Sequence, residues 1–460
     1  MATAQEPRAT ALEHLASETF DLLVVGAGII GARTALEAAR SGARVALVDA
    51  RDFGGATSSA SSKLVHGGLR YLQMYDFGLV REAHRERRAL LDGIAPHLVR
   101  PLTFVLPVYR KAPHRSAVVA AGMVTYAALS GFRHAGARMV RPARARRLVP
   151  SLRTERLVAA GVFEDAQTHD SRLVLATVTA ASRAGAVVVN YLPITELETA
   201  GGQIVGARAG QLLIRCRMVV NAAGPWVDEV RRLEDPAAEP IARLSKGVHV
   251  VLEAPAQPWG AALTTPLPGG RVTFAAPWEG MLLLGTTDTE YCGDPGQVRV
   301  EPEDVKTVLG EAAVALPSDV LARERIRYSF AGLRVLPRGA GSTARAHRDE
   351  VIQTGAAGMV SVAGGKLTTH RQIALRVLRQ LQPFSQAGLS RDPLPGAGQL
   401  PGRPAEVPDE VWEHLTHLYG SEVLDVLDGR DLAPIHPGGP DLWAQVLHAA
   451  DSEWAVTVDE

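Results

Sequence analysis

Residues 21–49 read DLLVVGAGIIGARTALEAARSGARVALVD. A short apolar run leads into Gly26, Gly28 and Gly31, a helical stretch rich in Ala and Leu follows, and a second apolar run ends in Asp49. Strand, glycine turn, helix and strand in this order predict a βαβ unit. The glycines permit a tight turn, a close approach of the backbone to a pyrophosphate and close packing of the helix, while the carboxylate suits ribose hydroxyls. The unit therefore predicts a dinucleotide site whose phosphates lie at a helix N-terminus.

Composition and charge limit the kind of protein this is. The 460-residue chain has 46% hydrophobic and 21% charged residues, the balance of a soluble globular protein with two or three domains. Lys plus Arg and Asp plus Glu both number 49, so the overall charge does not favour nucleic acid as a partner. Cys216 and Cys292 form no CxxC pair and no zinc-ligand spacing with His. Neither a disulfide framework nor a metal site is predicted, and a reducing cytosol fits best.

Two segments bear on membrane contact. The first sixteen residues contain Glu6 and Glu13 and no apolar run, so they predict a loose lead-in rather than an ordinary secretory signal. Residues 116–132 carry no charge, but Ser, Gly, Thr and Tyr dilute them and they fall short of the ~20 apolar residues of a spanning helix. They predict a buried or partly buried helix of a second domain. A helix lying in a membrane interface is the alternative.

Further along the chain, the pattern returns to elements of a dinucleotide domain. Residues 171–190 predict a helix and a strand, and the β-type runs before the NAAG turn at 221–224 predict a hairpin feeding a buried strand. Residues 241–348 are mostly strands with Pro and Gly turns, typical of an antiparallel sheet, with a helix near 302–316. A strand, a GGK turn and a helix then follow from Gly358.

Residues 54–73, GGATSSASSKLVHGGLRYLQ, are the least regular part of this region. They crowd hydroxyls, paired glycines, Lys63, His66 and Arg70 without apolar periodicity, so neither a core strand nor an amphipathic helix is predicted. Hydroxyls and backbone N–H groups suit a pyrophosphate or a flavin edge, and the planar donor fork of Arg70 suits an anion. A solvated Ser-rich loop is the alternative, but a flexible linker does not need these ionisable side chains among glycines.

The stretch ATSSASSKLVHGGLRYLQMYDFGLVREA, residues 56–83, resembles the signature of the FAD-dependent, quinone-linked glycerol-3-phosphate dehydrogenases. Further matching words, in the family's order, are NAAGPW, SKGVHVV, LLLGTTD, AGLRVLP and AGGKLTTHR. They spread from Asp21 to about Arg371. Long and unusual words in a fixed order make coincidence implausible.

The resemblance implies an α/β fold. We expect a Rossmann-like FAD-binding domain of the D-amino-acid-oxidase/glutathione-reductase type, an inserted antiparallel-sheet substrate domain and a short helical C-terminal region. The expected FAD-binding domain comprises residues 17–80, 155–228 and 349–383, the substrate domain 81–154 and 229–348, the linker 384–407 and the helical region 408–460. The linker is assigned from its Pro, Gly and Ser content.

The resemblance also implies an activity. Hydride passes from C2 of sn-glycerol 3-phosphate to N5 of FAD, giving dihydroxyacetone phosphate, and the electrons then pass to a quinone. A base must take the hydroxyl proton or a cation must stabilise the alkoxide, and Arg334, His249 and His66 are the candidates, with the proton acceptor left open. The residues expected to bind substrate are Arg70, Tyr71, Arg348 and Lys366. The residues expected to bind FAD are Gly26, Gly28, Gly31, Asp49, Thr57, Ser58, Ser61, Lys63, Leu64, Gly224, Gly364, Gly365, Leu367 and Thr368.

For bacterial members the family implies a cytoplasmic enzyme with peripheral contact to the inner face of the cell membrane. The expected partners are therefore glycerol 3-phosphate and a quinone, with no nucleic acid, and a homodimer is left open. Two departures from the family stand out. Phe330 occupies a place where members generally carry Tyr, which removes a hydroxyl if that side chain faces the site. The C-terminal sequence HAADSEWAVTVDE stands where members usually continue through another helix, so we expect a shortened end that affects stability, dimerisation or docking but not the flavin site.

Three alternative functions remain open. A glycerol-3-phosphate oxidase would pass electrons to O2, and substrate motifs do not separate it. A flavin amine or amino-acid oxidase of the same fold would need one carboxylate-binding arginine in an otherwise apolar site, whereas four cations are expected here, which fits phosphate better. A non-catalytic flavoprotein would not need the whole cationic set.

Overall fold

The computed structural model describes residues 8–69, 72, 76–110, 116–131, 136–268, 271–339 and 350–457. The α-helices in these ranges are α1 (Arg8–Ser17), α2 (Ile29–Arg40), α3 (Phe77–Ala89), α4 (Ser116–Leu129), α5 (Pro142–Leu148), α6 (Asp170–Arg183), α7 (Val227–Glu234), α8 (Pro302–Ala312), α9 (His370–Leu378), α10 (Asp409–Tyr419), α11 (Val423–Leu427) and α12 (Trp443–Ser452). The strands are β1 (Thr19–Phe20), β2 (Leu22–Val25), β3 (Val45–Val48), β4 (Leu64–Val65), β5 (Val99–Tyr109), β6 (Arg138–Val140), β7 (Leu157–Thr168), β8 (Val187–Val189), β9 (Glu196–Ala200), β10 (Gln203–Ala209), β11 (Leu212–Cys216), β12 (Val219–Asn221), β13 (Ala242–Leu252), β14 (Ala262–Pro266), β15 (Val272–Trp278), β16 (Met281–Gly285), β17 (Thr289–Tyr291), β18 (Ile326–Pro337), β19 (Val351–Thr354) and β20 (Val360–Ala363).

A six-stranded sheet, in the order β19-β20-β12-β2-β3-β8, is built around the opening βαβ unit. All neighbours in it pair parallel except the edge strand β19. The four residues of β2 are all buried, as expected of a central parallel strand covered on both faces. Leu22 and Val24 enter the core beneath α2 and α6, while Leu23 and Val25 enter the core on the other face. The predicted βαβ unit and the predicted helix and strand at α6 and β8 are confirmed.

A second, larger sheet runs β17-β13-β16-β15-β14-β5-β7-β4, with β18 added on β13 and β6 on β7. Its pairs are antiparallel apart from β14 with β5. The antiparallel sheet and the helix α8 were predicted, and α8 begins with a capping box between Glu301 and Asp304. The division into domains stays a prediction, since β4 and β7 lie in ranges assigned to the FAD-binding domain yet pair within this sheet.

The predicted hairpin before the NAAG turn is present as β9 to β11, which with β1 form a four-stranded sheet. The predicted loose lead-in is wrong, because α1 begins at Arg8. Ala11 and Leu15 of α1 are buried in the core that also contains Ile214 of β11. Two apolar residues one turn apart give too weak a periodic signal to predict such a short helix.

The C-terminal helices α10 to α12 form a small core of their own. Beyond them Trp454 lies edge-on against Phe53 at a centroid distance of 5.5 Å, and its carbonyl accepts a bond from the side chain of Asn190. The end of the described chain therefore packs beside the dinucleotide-type sheet. No helix within the described ranges is long and apolar enough to cross a membrane.

Candidate functional site: a dinucleotide cavity joined to a cationic pocket

Four separated turns meet at one edge of the six-stranded sheet. Gly26 follows β2, Asp49 follows β3, the Ala222–Gly224 turn follows β12, and Gly364 follows β20. Because these strands run parallel, their carboxyl ends lie at the same edge, where open α/β sheets bind their ligands. The side chain of Asn221 helps to shape the third of these turns by donating to the carbonyl of Val227 at 2.9 Å.

The glycine turn is tight enough to require its glycines. Gly26 has a φ of 99°, and a Cβ on it would crowd the backbone of Ala222. A Cβ on Gly31 would overlap the carbonyl oxygen of Gly26. Gly28 is the N-cap of α2 and has no side chain of its own, and with Ile29 and Ile30 it lines a cavity, so the N-terminus of α2 lies where helices bind phosphates.

Asp49 is held in place by two backbone amides. Its carboxylate accepts bonds from Ala27 at 2.6 Å and from Arg51 at 2.9 Å. Burial raises its pKa to about 6, and these two donors oppose that rise. A carboxylate with unused lone pairs at the end of β3 is suited to accept ribose hydroxyls.

We predict that FAD affinity falls as the pH drops below about 6, because Asp49 then becomes protonated in the cofactor-free protein and loses acceptor capacity. The dissociation constant should rise by up to about tenfold per pH unit below that value. Titration of the apoprotein with FAD between pH 5 and 8, followed by flavin fluorescence, measures this. The Asp49→Asn variant should bind more weakly with no such pH dependence, and a flat profile for the unaltered protein would contradict the assignment.

Two cavities extend from this edge and share Gly28, Thr57, Ser58, Ala222 and Gly224. The first, of about 390 Å³, is lined by Gly26 and Asp49. The second, of about 240 Å³, lies toward the large sheet. A joined, elongated space with a carboxylate at one end and helix N–H groups near its middle fits an extended dinucleotide such as FAD.

The irregular segment lines both cavities and is fixed from several directions. Ser58 Oγ accepts the amide of Ile29 at 3.0 Å, which ties the segment to the N-terminus of α2. Thr57 donates to the carbonyl of Leu333 on β18 at 2.7 Å. A segment held by these two bonds is not the solvated Ser-rich loop that the sequence left as the alternative. Of the residues predicted from it, those lining the second cavity are Thr57, Ser58, Ser61, Leu64 and His66.

The late glycine turn contributes the opposite side of the second cavity. Its lining residues there are Gly364, Gly365, Lys366, Leu367 and Thr368, all predicted from the sequence. Thr368 Oγ1 accepts the amide of His66 at 3.1 Å, so the two distant segments are bonded to each other. Gly31 and Lys63 line neither cavity, and direct roles for the whole predicted set stay predictions.

The second cavity is lined by the three predicted catalytic residues, His66, His249 and Arg334, and by Lys366, which was predicted to bind substrate. Arg334 donates to the carbonyl of Thr287 at 3.0 Å and to Thr286 Oγ1 at 2.7 Å. Asp288 Oδ1 lies 3.9 Å from its guanidinium. These contacts leave the planar group fixed at the cavity surface, over Gly247.

His249 is almost fully buried, at 2% exposure, and its Nε2 lies 3.0 Å from Ser62 Oγ. Burial lowers its pKa well below the usual range, and Arg334 and Lys63 lower it further, so the ring is neutral. The ring of Phe330 stacks on His249 at 4.8 Å instead of lining the cavity. The expected loss of a hydroxyl at position 330 is therefore a change in the packing around His249.

Three of the predicted substrate residues, Arg70, Tyr71 and Arg348, lie outside the described residues. Three residues that help to hold this region, Asp165, Asp170 and Ser62, were not predicted, because their partners are far away in sequence. Asp165 accepts hydrogen bonds from the amide of Gly67, in the HGG sequence at 66–68, at 2.8 Å and from the hydroxyl of Tyr126 at 2.7 Å. Asp170 accepts a hydrogen bond from the hydroxyl of Ser61, and Ser62 Oγ is within hydrogen-bond distance of His249 Nε2.

A third cavity, of about 430 Å³, adjoins the second at Ser62, Leu64 and His66. The rest of its lining is mostly apolar and includes Phe104, Leu106, Val119, Met123, Phe163 and Phe274. No group of three or more His, Cys, Asp or Glu side chains suited to a metal ion occurs in the described part of the chain.

The strand edge, the glycine turns and the joined cavities define the class of FAD-binding oxidoreductases, and the model of the FAD dependent oxidoreductase family matches residues 21–371. A glycerol-3-phosphate dehydrogenase from Synechocystis sp. is 33% identical, over 97% of this chain and 88% of that protein. The solved glycerol-3-phosphate dehydrogenase from Bacillus halodurans in complex with FAD covers 98% of this chain and 86% of its own, at 29% identity and a TM-score of 0.76. The chain therefore belongs to the FAD-dependent glycerol-3-phosphate dehydrogenase family, and FAD is its cofactor.

The same fold extends to other flavoenzymes. Glycine oxidase from Geobacillus kaustophilus has a TM-score of 0.63 over 82% of this chain and 99% of its own, at 20% identity. This likeness concerns the fold alone, which therefore does not separate the two kinds of substrate.

Proposed function

We propose that the enzyme oxidises sn-glycerol 3-phosphate to dihydroxyacetone phosphate. The observation that carries the proposal is the convergence of Arg334, Lys366, His66 and His249 on the cavity that the FAD-binding segments also line. Two cations and two imidazoles suit a phosphate ester that must lose a hydroxyl proton. The family resemblance assigns Arg70, Tyr71 and Arg348 to the same substrate.

Bound FAD supplies the acceptor for the hydride from C2. Arg334 stabilises the negative charge that develops on the C2 oxygen, because its guanidinium is fixed by Thr286 and Thr287 before the reaction. His66 lines both the second and the third cavity and accepts the hydroxyl proton. His249, whose low pKa makes it a weak base at neutral pH, orients the Ser62 hydroxyl.

Turnover with a dye acceptor tests the substrate assignment. Glycerol 3-phosphate should be oxidised, while glycerol, which lacks the phosphate, and glycine, which carries a carboxylate, should give little activity. Oxidation of glycine with no oxidation of glycerol 3-phosphate would favour the amino-acid oxidase alternative.

We further propose a quinone as the electron acceptor. The third cavity is mostly apolar and adjoins the second cavity at His66, and such a lining suits a ring-shaped, lipid-soluble acceptor. Reduced enzyme should then be reoxidised faster by a soluble quinone analogue than by O2. The opposite order would favour a glycerol-3-phosphate oxidase. The homodimer stays a prediction.

We also propose peripheral contact with an anionic membrane on the cytoplasmic side. Between Asp92 and Glu155 the sequence contains no acidic residue but many cations, namely Arg100, Arg110, Lys111, Arg115, Arg133, Arg138, Arg141, Arg144, Arg146, Arg147 and Arg153. α4 lies within this stretch, and Val118 and Val124 on it are 58% and 63% exposed. Exposed apolar residues on α4, within a stretch of sequence that carries many arginines and no acidic residue, support binding to anionic lipid.

Charge reversal tests this contact. The Arg144→Glu/Arg147→Glu variant should bind vesicles of anionic lipid much more weakly than the unaltered enzyme, since both side chains are exposed on α5. Vesicle flotation measures the bound fraction, and Arg232→Glu/Arg323→Glu, which makes the same change in charge elsewhere, is the control. Equal binding by both variants would rule out this surface.

A further inference from the structure

A buried carboxylate, which lines none of the three cavities described above, holds the segment that lines the second cavity. Asp170 opens α6 and is 0% exposed. Its Oδ2 accepts both the amide of Ser61 at 3.1 Å and the hydroxyl of Ser61 at 2.6 Å, and its Oδ1 accepts the Lys63 ammonium at 2.6 Å and the amide of Ser171 at 2.9 Å. With four donors on two oxygens, this carboxylate is fully satisfied by the chain itself.

Lys63 closes the arrangement. Its ammonium also donates to the carbonyl of Ser59 at 2.5 Å, and it lies 5.8 and 5.4 Å from the ring centroids of Trp278 and Phe330. Its φ of 59° is one that residues other than glycine adopt rarely. Such a backbone persists only where the surroundings hold it, and here the ion pair with Asp170 does so.

The effect of this anchoring appears on the other side of the segment. Ala60, Ser61, Ser62 and Leu64 line the second cavity, so the segment that Asp170 holds through Ser61 forms part of the cavity wall. Ser62 Oγ in this segment lies 3.0 Å from Nε2 of His249. A shift of residues 59–64 would therefore move Ser62 relative to His249.

The adenosine end of the site is held by other means. Asp49 and the glycine turn belong to the βαβ unit, and Asp170 has no bond to either. Loss of the Asp170 anchor should therefore disturb the reacting end of the cavity while leaving the cofactor bound.

We propose that Asp170 is a positioning residue for the oxidation: through Ser61 and Lys63 it fixes residues 59–64 so that Ser62 and Leu64 face the reacting end of the cavity. The proposal rests on the proposed function for its rate measurement. The rate is measured on the holoenzyme with its own FAD and with glycerol 3-phosphate as the substrate.

Anaerobic stopped-flow reduction of the Asp170→Asn holoenzyme tests it. The limiting rate of flavin reduction should fall by on the order of 100-fold, the size expected when a reacting group is misplaced by about 1 Å. The FAD content should stay unchanged, and the visible circular dichroism of the bound flavin should change, since its surroundings have moved. Asp170→Glu, which keeps the charge but shifts it by one methylene, should recover stability and not the rate.

Glu453→Gln is the matched control. Glu453 pairs with Arg172 at 2.7 Å, so it also belongs to a largely buried ion pair of α6, yet it lines none of the three cavities. This variant should lose stability and keep the wild-type rate and flavin dichroism. If Asp170→Asn does not fold, Lys63→Met keeps the bonds to Ser61 and should show a smaller fall in rate with the same change in dichroism.

The outcomes separate the two proposals. If glycerol 3-phosphate does not reduce the unaltered enzyme, the proposed function fails, and the flavin dichroism of Asp170→Asn still tests the positioning role. If the unaltered enzyme is reduced and Asp170→Asn matches it in rate and dichroism, or loses FAD, the positioning role is wrong. Equal losses of rate in Asp170→Asn and Glu453→Gln would also overturn it.

Discussion

Replacing Arg334 by alanine should lower kcat/KM for glycerol 3-phosphate by on the order of 10³-fold, the size seen when a fixed donor to a developing oxyanion is removed. The guanidinium is held by Thr286 and Thr287 at the surface of the cavity, so the truncation removes a charge that is already in place for the transition state. FAD should remain bound, because Arg334 bonds to Thr286 and Thr287, between β16 and β17 of the large sheet, whereas the glycine turn lies in the βαβ unit. Steady-state kinetics with a dye acceptor, with the flavin content measured in parallel, check both statements.

Arg327→Ala is the control for this experiment. Arg327 lies on the same strand, β18, but is mostly exposed and pairs with Glu253. An exposed pair of this kind contributes little, so the control should behave as the unaltered enzyme does. The role of Arg334 would be refuted by equal activity of the two variants. Arg334→Lys, which keeps the charge without the planar fork, should fall between them.

Gly31→Ala should abolish FAD binding, giving a colourless protein. The added Cβ would overlap the carbonyl oxygen of Gly26, and neither backbone can move without opening the turn that approaches the pyrophosphate. The absorbance of the purified protein and titration of the apoprotein with FAD measure the effect.

Gly310→Ala provides the comparison, because a Cβ there meets nothing within 4 Å and Gly310 lies within helix α8. That variant should keep its FAD and gain a little stability, since alanine is the better helix former by about 1 kcal/mol. A yellow Gly31→Ala protein with full FAD content would show that the glycine turn does not hold the pyrophosphate.

The parts of the site that follow from the sequence are those in which a local pattern fixes the geometry. Gly26, Gly31 and Asp49 were predicted because a strand, a turn and a helix place them within one unit. The same reasoning predicted the NAAG and GGK turns as separate pieces. Only the parallel pairing of β2 with β12, and of β12 with β20, shows that they meet at one edge.

Lys63 makes a contact that the sequence around it does not predict. The family resemblance placed it among the expected cofactor-binding residues. In the structure its ammonium is bonded to Asp170, 107 residues away. Asp170 itself is the first residue of a helix, a position where an acidic residue is common and carries no signal of a distant partner. The contact could not be predicted from spacing.

The burial of His249 was not predicted from the sequence either. Arg334, His249 and His66 were all candidates, and the sequence left the proton acceptor open. The structure buries His249 behind Ser62 and leaves His66 at two cavities, which is why the proposal assigns the proton to His66. Burial depends on the packing of β13 against β16 and β18, and no local pattern reveals it.

The central claim is that the flavin of this enzyme takes a hydride from glycerol 3-phosphate. Anaerobic titration of the holoenzyme with that substrate, followed by the visible absorbance of the flavin, tests it most directly. We predict complete bleaching and the formation of one dihydroxyacetone phosphate for each flavin reduced. Holoenzyme that keeps its oxidised spectrum with excess glycerol 3-phosphate, yet is bleached by dithionite, would contradict the account.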